Sequence, residues 1–189
     1  MFRIKKMKQI NDYKLFDPTN ATKGLPVEAP GNYIFLLRPD VMLPTDMIAE
    51  QPEFSILEYE GTTYRVLYTG VTKDSLYKRV YKIHLTGNNA GKSTLRKSLG
   101  CLWGYSFVKR DKNPESTKTK FAEKDEKSIT TWMQNNLLIL FVANLNFEQD
   151  EQELIDKFNP PLNLDKNHNA VNSEYRQKLS KLRTRKVGG

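Results

Sequence analysis

Apolar and polar positions follow two regimes along this chain, a period of two up to about Gly70 and a period near 3.6 beyond it. The segment G-N-Y-I-F-L-L-R from Gly31 is a compact apolar and aromatic run closed by Pro39, the pattern of a strand buried on both faces. F-S-I-L-E-Y from Phe54 and T-Y-R-V-L-Y-T-G from Thr63 read as two strands of a hairpin turning across Glu60 and Gly61. After Gly70, Asp74 or Ser75 can cap a helix with the apolar line Leu76, Val80 and Ile83, Arg79 at its edge, and Gly87 as its end. A second helix is predicted from Ser93 to Trp103, burying Leu95, Leu99, Leu102 and Trp103 and turning Arg96 and Lys97 to solvent. Residues 109–127 mix charges with Pro114, Ser and Thr, which suits a mobile loop leading to a polar helix. The run N-L-L-I-L-F-V-A-N from Asn136 is the most apolar in the chain and is expected to be the central strand.

That strand leads into a helix on which Phe147, Glu151, Leu154, Ile155 and Phe158 form one stripe. Glu151 interrupts it, whereas Glu148, Asp150, Glu153 and Asp156 fall on faces where water solvates them. A carboxylate on an apolar stripe either snorkels out to water or a lysine, or it is a metal ligand or catalytic group. The flanks are less regular. Residues 1–30 carry Pro18, Gly24, Pro26 and Pro30 and read as a short irregular arm, and 39–62 as an insertion opening with Pro39, Pro44 and Pro52. The main domain is expected over 31–165, with a basic tail over 166–189 in which Tyr175, Leu179 and Leu182 could dock one side.

Length and composition fit one globular domain of ordinary size. The balance of 30 Lys and Arg against 22 Asp and Glu, a formal +8, favours a polyanionic partner, nucleic acid first and an anionic surface second. No run is long and apolar enough for a membrane helix, and the start M-F-R-I-K-K-M-K-Q-I has neither the apolar stretch nor the cleavage site of a secretory signal. A lone Cys101 excludes an internal disulfide and points to a reducing, cytoplasmic setting.

Several chemistries fall away. The segment T-G-N-N-A-G-K-S-T from Thr86 resembles a phosphate-binding loop, but Gly87 is one residue too close to Gly91 and a helix rather than a strand precedes it. Lys92, Ser93 and Arg96 at a helix start could still hold a phosphate. Only His84 and His168 exist, and neither is spaced from Cys101 for a closed zinc site. No G-x-S-x-G elbow occurs, and Cys101 lies among core residues.

What remains is oxygen-ligand metal chemistry, and here a resemblance is specific. Gly31-Asn32-Tyr33, then Tyr68-Thr69-Gly70, then T-K-D-S-L-Y-K-R to Arg79, and finally Glu151, Leu154, Ile155, Pro160 and Asn163 resemble the GIY-YIG nuclease family in order and in the elements that carry them. The chain departs from the pattern in three ways. An insertion with an extra strand separates the two tyrosine motifs, Asn32 and Thr69 replace aliphatic residues that mainly pack, and His84 follows Arg79 at a spacing one residue longer. The resemblance implies an α/β fold with a small central antiparallel sheet of three strands flanked by helices, and metal-dependent hydrolysis of phosphodiesters.

Under that resemblance Glu151 would hold one divalent ion, Mg2+ or Mn2+. Tyr33 and Tyr68 would orient or deprotonate the attacking water, a task for which a phenol needs a cation such as Lys73 or Arg79 nearby. Arg79 would meet the charge on the phosphate, His84 would relay a proton, and Asn163 would fix the geometry around Glu151. Lys73, Lys92, Arg96, Lys97, Arg176, Lys178 and Arg183 would contact DNA, with RNA also open, and two copies could pair to cut both strands. The rival reading is a non-catalytic nucleic-acid-binding module that keeps the fold. Each residue also has an ordinary structural fate, the tyrosines packing in the sheet, Arg79 covering apolar surface and His84 ending a helix.

Overall fold

The computed structural model describes residues 8–20, 25, 27–113 and 115–187. The basic start up to Met7, Gly24, Pro26 and Pro114 lie outside the described residues.

The long apolar runs form the expected strands. β1 (Lys14–Phe16), β2 (Gly31–Leu37), β3 (Ile56–Tyr59), β4 (Thr62–Thr72) and β7 (Leu137–Ala143) make an antiparallel sheet in the order β1-β7-β2-β4-β3, and β5 (Phe107–Lys109) pairs with β6 (Thr119–Phe121) apart from it. All of β2 is buried, as its apolar run from Tyr33 to Leu37 requires, with polar Asn32 buried in hydrogen bonds. Tyr33, Phe35 and Leu37 point to one core cluster and Ile34 and Leu36 to another, so the sheet is covered on both faces. On the first face lie a π-helix (Tyr77–Leu85), α1 (Thr94–Leu102), α2 (Glu123–Asn136) and α4 (Ser173–Arg183); on the second lies α3 (Phe147–Phe158), through Leu154 and Phe158. The predicted hairpin turns at Glu60 and Gly61, both with positive φ (48° and 75°), as a two-residue turn of right-handed strand twist requires.

Two irregularities set up the site. Phe35 pairs with Tyr68 but Leu36 pairs with Val66, so Leu67 is an extra residue and β4 bulges there. The bulge turns Leu67 and Tyr68 toward the same core, and so aims Tyr68 at the face carrying Tyr33. In addition β3 pairs with β4 only as far as Arg65, leaving the outer edge of β4 beyond it to be filled by the chain that follows α3. Leu162 N donates to Leu67 O at 3.3 Å, and Asn163 takes up the next backbone groups. Asn159, in the left-handed conformation (φ 39°), ends α3, and the prolines behind it carry the chain across to that edge.

The structure corrects several expectations. The lead-in contributes β1, a strand too short to carry a readable period, paired with β7. The central strand is β2, with β7 between β1 and β2, and the sheet has five strands rather than three. The stretch after Pro39 is not purely surface, since Leu43 and Ile48 join the core. Residues 107–121 hold the β5–β6 hairpin where a loop was expected. The basic tail, by contrast, docks α4 on the core through Tyr175 and Leu179, with Leu182 packed against it, on the side its sequence offered.

Asp150 is buried rather than solvated. It accepts from Asn144 Nδ2 at 2.7 Å, and Asn144 Nδ2 also donates to Asn32 Oδ1 at 2.8 Å. Asn32 Nδ2 reaches Phe147 O at 2.7 Å, so this position, where simple packing was expected, ties β2 to the first turn of α3. The helix after Gly70 is wound wide: Thr86 N donates to Tyr81 O, five residues back. That winding leaves Ile83 half-buried and sends His84 into the core instead.

Candidate active site

The two glycines of the strand motifs are required by close approach. A Cβ at Gly70 would fall 2.5 Å from Cζ and Oη of Tyr33, and one at Gly31 would fall 2.1 Å from Val142 O. The Tyr33 ring therefore lies across the backbone of the neighbouring strand, in the register that pairs Tyr33 with Gly70. From there its hydroxyl lies 2.9 Å from His84 Nε2 and 3.4 Å from Arg79 Nε. His84 Nδ1 lies 2.6 Å from Ser93 Oγ, which also caps α1 by accepting from Arg96 N. Five residues separate Arg79 from His84. In an α-helix they would point to widely different sides, and the wider π winding brings both to Tyr33.

Above this buried chain opens a cleft of about 190 Å³ lined by Tyr68, Arg79, Thr94, Glu151, Asn163 and Lys166, with Asp165 and Arg183 at its walls. Tyr68, Arg79, Glu151 and Asn163 come from β4, the π-helix, α3 and the segment after α3. Tyr33 and His84 lie beneath the cleft, fully buried. The Tyr68 hydroxyl is 3.0 Å from Thr94 Oγ1. Arg79 is held by Nη1 donating to Lys92 O at 3.0 Å, in addition to its Tyr33 contact. Glu151 Oε2 accepts from Lys166 Nζ at 2.8 Å, and its side chain is 18% exposed against 59% for the lysine.

Asn163 acts elsewhere than expected. Its Oδ1 accepts from Thr69 N and its Nδ2 donates to Thr69 O, both at 2.9 Å. The side chain reads the backbone edge of β4 as a neighbouring strand would, and fixes the residue next to Tyr68 rather than Glu151.

The electrostatics favour neutral tyrosines. Burial raises the Tyr33 hydroxyl far above the usual phenol range, outweighing Arg79, and burial raises Tyr68 as well against its bond to Thr94 and the Arg79 charge. Burial, followed by the charges of Arg79 and Arg96, holds His84 well below its ordinary value, so its imidazole is neutral. Neutral imidazole donates through one nitrogen and accepts through the other, which matches one hydroxyl at each end.

The predicted phosphate-binding residues divide. Lys92, Lys97 and Arg183 line a second cleft that adjoins the first. Lys73 is exposed just past β4 and lies outside the Glu151 cleft. Lys178 meets Glu50 and Glu174 on the surface. Arg96, expected to face solvent, is fully buried; Nε and Nη2 donate to Glu126 Oε2 and Nη1 to His84 O. Arg176 is also buried, bonding Asn159, Val171 O and Asn169 O. Both hold the fold together and are withdrawn from any phosphate. Thr94 and Lys166 escaped sequence reasoning. Ser93 was read as a helix start and a possible phosphate contact rather than as the partner of His84, and nothing in the sequence ties Lys166 to a carboxylate fifteen residues earlier.

A model of the GIY-YIG catalytic domain matches residues 31–185, from the first residue of β2 to just past α4. The chain belongs to the GIY-YIG family. No curated protein sequence and no solved structure matches it. As a GIY-YIG domain it is a nuclease-family protein, and the match takes in the insertion, the β5–β6 hairpin and α4 as well as the motif residues. No helix among the described residues is long and apolar enough to cross a membrane.

Proposed function

We propose that this GIY-YIG protein is a divalent-metal-dependent endonuclease that hydrolyses DNA phosphodiester bonds, acting in the cytoplasm. The observation that carries the reading is the convergence of Glu151, Arg79 and Tyr68, from three separate elements, on one cleft. A single carboxylate suits Mg2+ or Mn2+, which keep several waters and take substrate phosphate as a further ligand. It suits zinc poorly, and among the described residues no cluster of three or more His, Cys, Asp or Glu could cage a metal. Glu151 would hold the ion, with Asp165 lining the same cleft. When bound, the ion supplies Lewis-acid polarisation of the scissile phosphate and stabilisation of the leaving oxygen.

The rest falls to the chain's own groups. Arg79, with two of its five donors fixed by Tyr33 and Lys92, offers the others to the phosphate charge that grows in the transition state. The Tyr68 hydroxyl, held 3.0 Å from Thr94 Oγ1, orients the attacking water by hydrogen bonding. Burial favours this orienting role over deprotonation by either tyrosine. Tyr33, His84 and Ser93 position Arg79 from below, and Asn163 holds the strand that carries Tyr68.

The test is nicking of supercoiled plasmid with Mg2+ or chelator, beside Glu151→Ala and Arg79→Ala. Metal-dependent nicking that disappears in both variants is expected; cleavage that survives chelation or the loss of Glu151 would overturn the assignment. The Glu151–Lys166 ion pair favours one rival, a fold kept for binding alone. That rival predicts salt-sensitive DNA binding and no cleavage with any divalent metal.

A further inference from the structure

Beside the Glu151 cleft lies a second, of about 340 Å³, between the segment Ala90–Thr94 and the β5–β6 hairpin. Five cations line it: Lys92 and Lys97 from the start of α1 and the turn before it, Arg110 and Lys118 from the hairpin, and Arg183 from the end of α4. No acid lines it, and among the described residues none of the five is paired with a carboxylate. Elsewhere this chain neutralises some of the cations it brings into structure, Arg96 with Glu126 and Arg38 with Asp17, and satisfies buried Arg176 with neutral acceptors. Here it does not. Arg183 Nε is buried with no hydrogen-bond partner. Burial, and then the Arg183 charge beside it, lowers the Lys97 ammonium below its ordinary value, a strain that a bound anion would relieve.

The two clefts adjoin. Thr94 and Arg183 line both, and Arg79 donates to the backbone carbonyl of Lys92 on the rim of the second. The hairpin is held in place at its mouth, where Arg110 N donates to Lys118 O, and at its base, where Phe107 stacks on Phe121 at 4.9 Å. Its acids Asp111 and Glu115 stay outside the cleft, Asp111 accepting from Ser116 Oγ. The rings nearest the cations are buried, Phe107 lying under Lys97 Nζ at 4.9 Å, so the lining offers charge to phosphates and no exposed aromatic platform to bases.

We propose that this basic cleft holds the phosphodiester backbone of the substrate strand next to the scissile phosphate, with Arg110 and Lys118 of the hairpin as phosphate contacts and Arg183 bridging the two clefts. The proposal rests on the nuclease reading above, and the experiment separates the two. The full chain carrying Glu151→Gln, which suppresses cleavage, is titrated against a fluorescently labelled DNA duplex from about 50 to 200 mM salt, with and without Arg110→Gln/Lys118→Gln.

Each lost phosphate contact lowers the slope of log affinity against log salt by about 0.9, so the double variant should flatten it by one to two. The same relation weakens binding roughly eightfold per contact at 0.1 M salt. Lys124→Gln/Lys127→Gln, which removes two exposed lysines of α2 outside the cleft, should leave the slope near that of the parent. Lys118→Glu, a single surface change, should weaken binding more than Lys118→Gln, and matched thermal unfolding checks that the hairpin variants stay folded. An unchanged slope in the hairpin variant, while the wild type nicks plasmid, overturns the cleft assignment alone. Failure of the wild type both to nick and to bind overturns the nuclease reading with it.

Discussion

Replacing Asn163 by Ala removes one side chain and leaves two backbone groups without partners. Thr69 is fully buried, and its N–H and C=O are both satisfied by the Asn163 amide, at 2.9 Å each. An unsatisfied buried group costs about 1–3 kcal/mol, so the pair sets a range of roughly 2–6 kcal/mol. Asn163 borders the open cleft, which admits water to one of the orphaned groups and places the expected loss near the lower end, about 2–3 kcal/mol. In a chain of this size that corresponds to a fall in Tm of roughly 5–10 °C.

Asn163→Asp sharpens the test. The carboxylate keeps an acceptor for Thr69 N but turns an anionic oxygen on Thr69 O, so at neutral pH it should be at least as damaging as Ala. Its protonated form can donate again. The folded state then binds the proton more tightly than the unfolded state, and the variant should regain stability as pH falls from 7 toward 5, where Asn163→Ala does not. Urea titration of the three proteins at both pH values measures this. Wild-type-like stability of Asn163→Ala, within about 0.5 kcal/mol, or a variant pair with the same pH response would refute the clamp. Because Tyr68 adjoins Thr69, nicking by the folded Ala variant should also drop, by tenfold or more.

Gly70→Ala drives a methyl into the Tyr33 ring, whose hydroxyl is held by His84 and Arg79, so it should cost about 1–3 kcal/mol in urea unfolding and depress nicking; a neutral result would mean the ring can move aside. His84 is neutral when folded and titrates near 6.5 when unfolded, so below that pH the unfolded chain binds the extra proton. Stability contributed by His84 should therefore fall with acidification, by at most about 1.4 kcal/mol per pH unit below 6.5, and His84→Gln should show a flatter urea profile between pH 7 and 5. Lys166→Met removes an ammonium that competes with a metal for Glu151; the pair is largely solvent-screened, worth about 0.2–1 kcal/mol, so the Mg2+ midpoint for nicking should fall by no more than about fivefold. A raised midpoint would instead make Lys166 a helper of the ion.

The parts legible in the sequence were those whose signal is local. β2, the hairpin at Glu60 and Gly61, the Ser93 cap and the strand before α3 follow from apolar runs, turn residues and caps. The residues misjudged were those whose partners sit outside the helix that carries them. Arg96 on a helix reads as exposed until Glu126 is brought beside it, and Asp150 reads as solvated until Asn144 turns back on it. Arg176 is likewise claimed by the backbone around Asn169 and Val171. The tyrosine pair was found by its motif, but the reason for its glycines is a contact between strands, visible only once the register sets Gly70 under Tyr33. The role of Asn163 was displaced in the same way, since an open strand edge has no sequence signature.

The wide winding after Tyr77 has a consequence for chain length. A helix that closes one turn with an additional residue can absorb a one-residue insertion while Arg79 and His84 keep meeting at the same hydroxyl. Position along the sequence and position in space are uncoupled at that turn, so a search pattern with a fixed arginine-to-histidine interval would pass over this chain although the groups it seeks are assembled. Deleting one residue between the two should rewind the segment as an ordinary α-turn and leave the Tyr33 contacts in place.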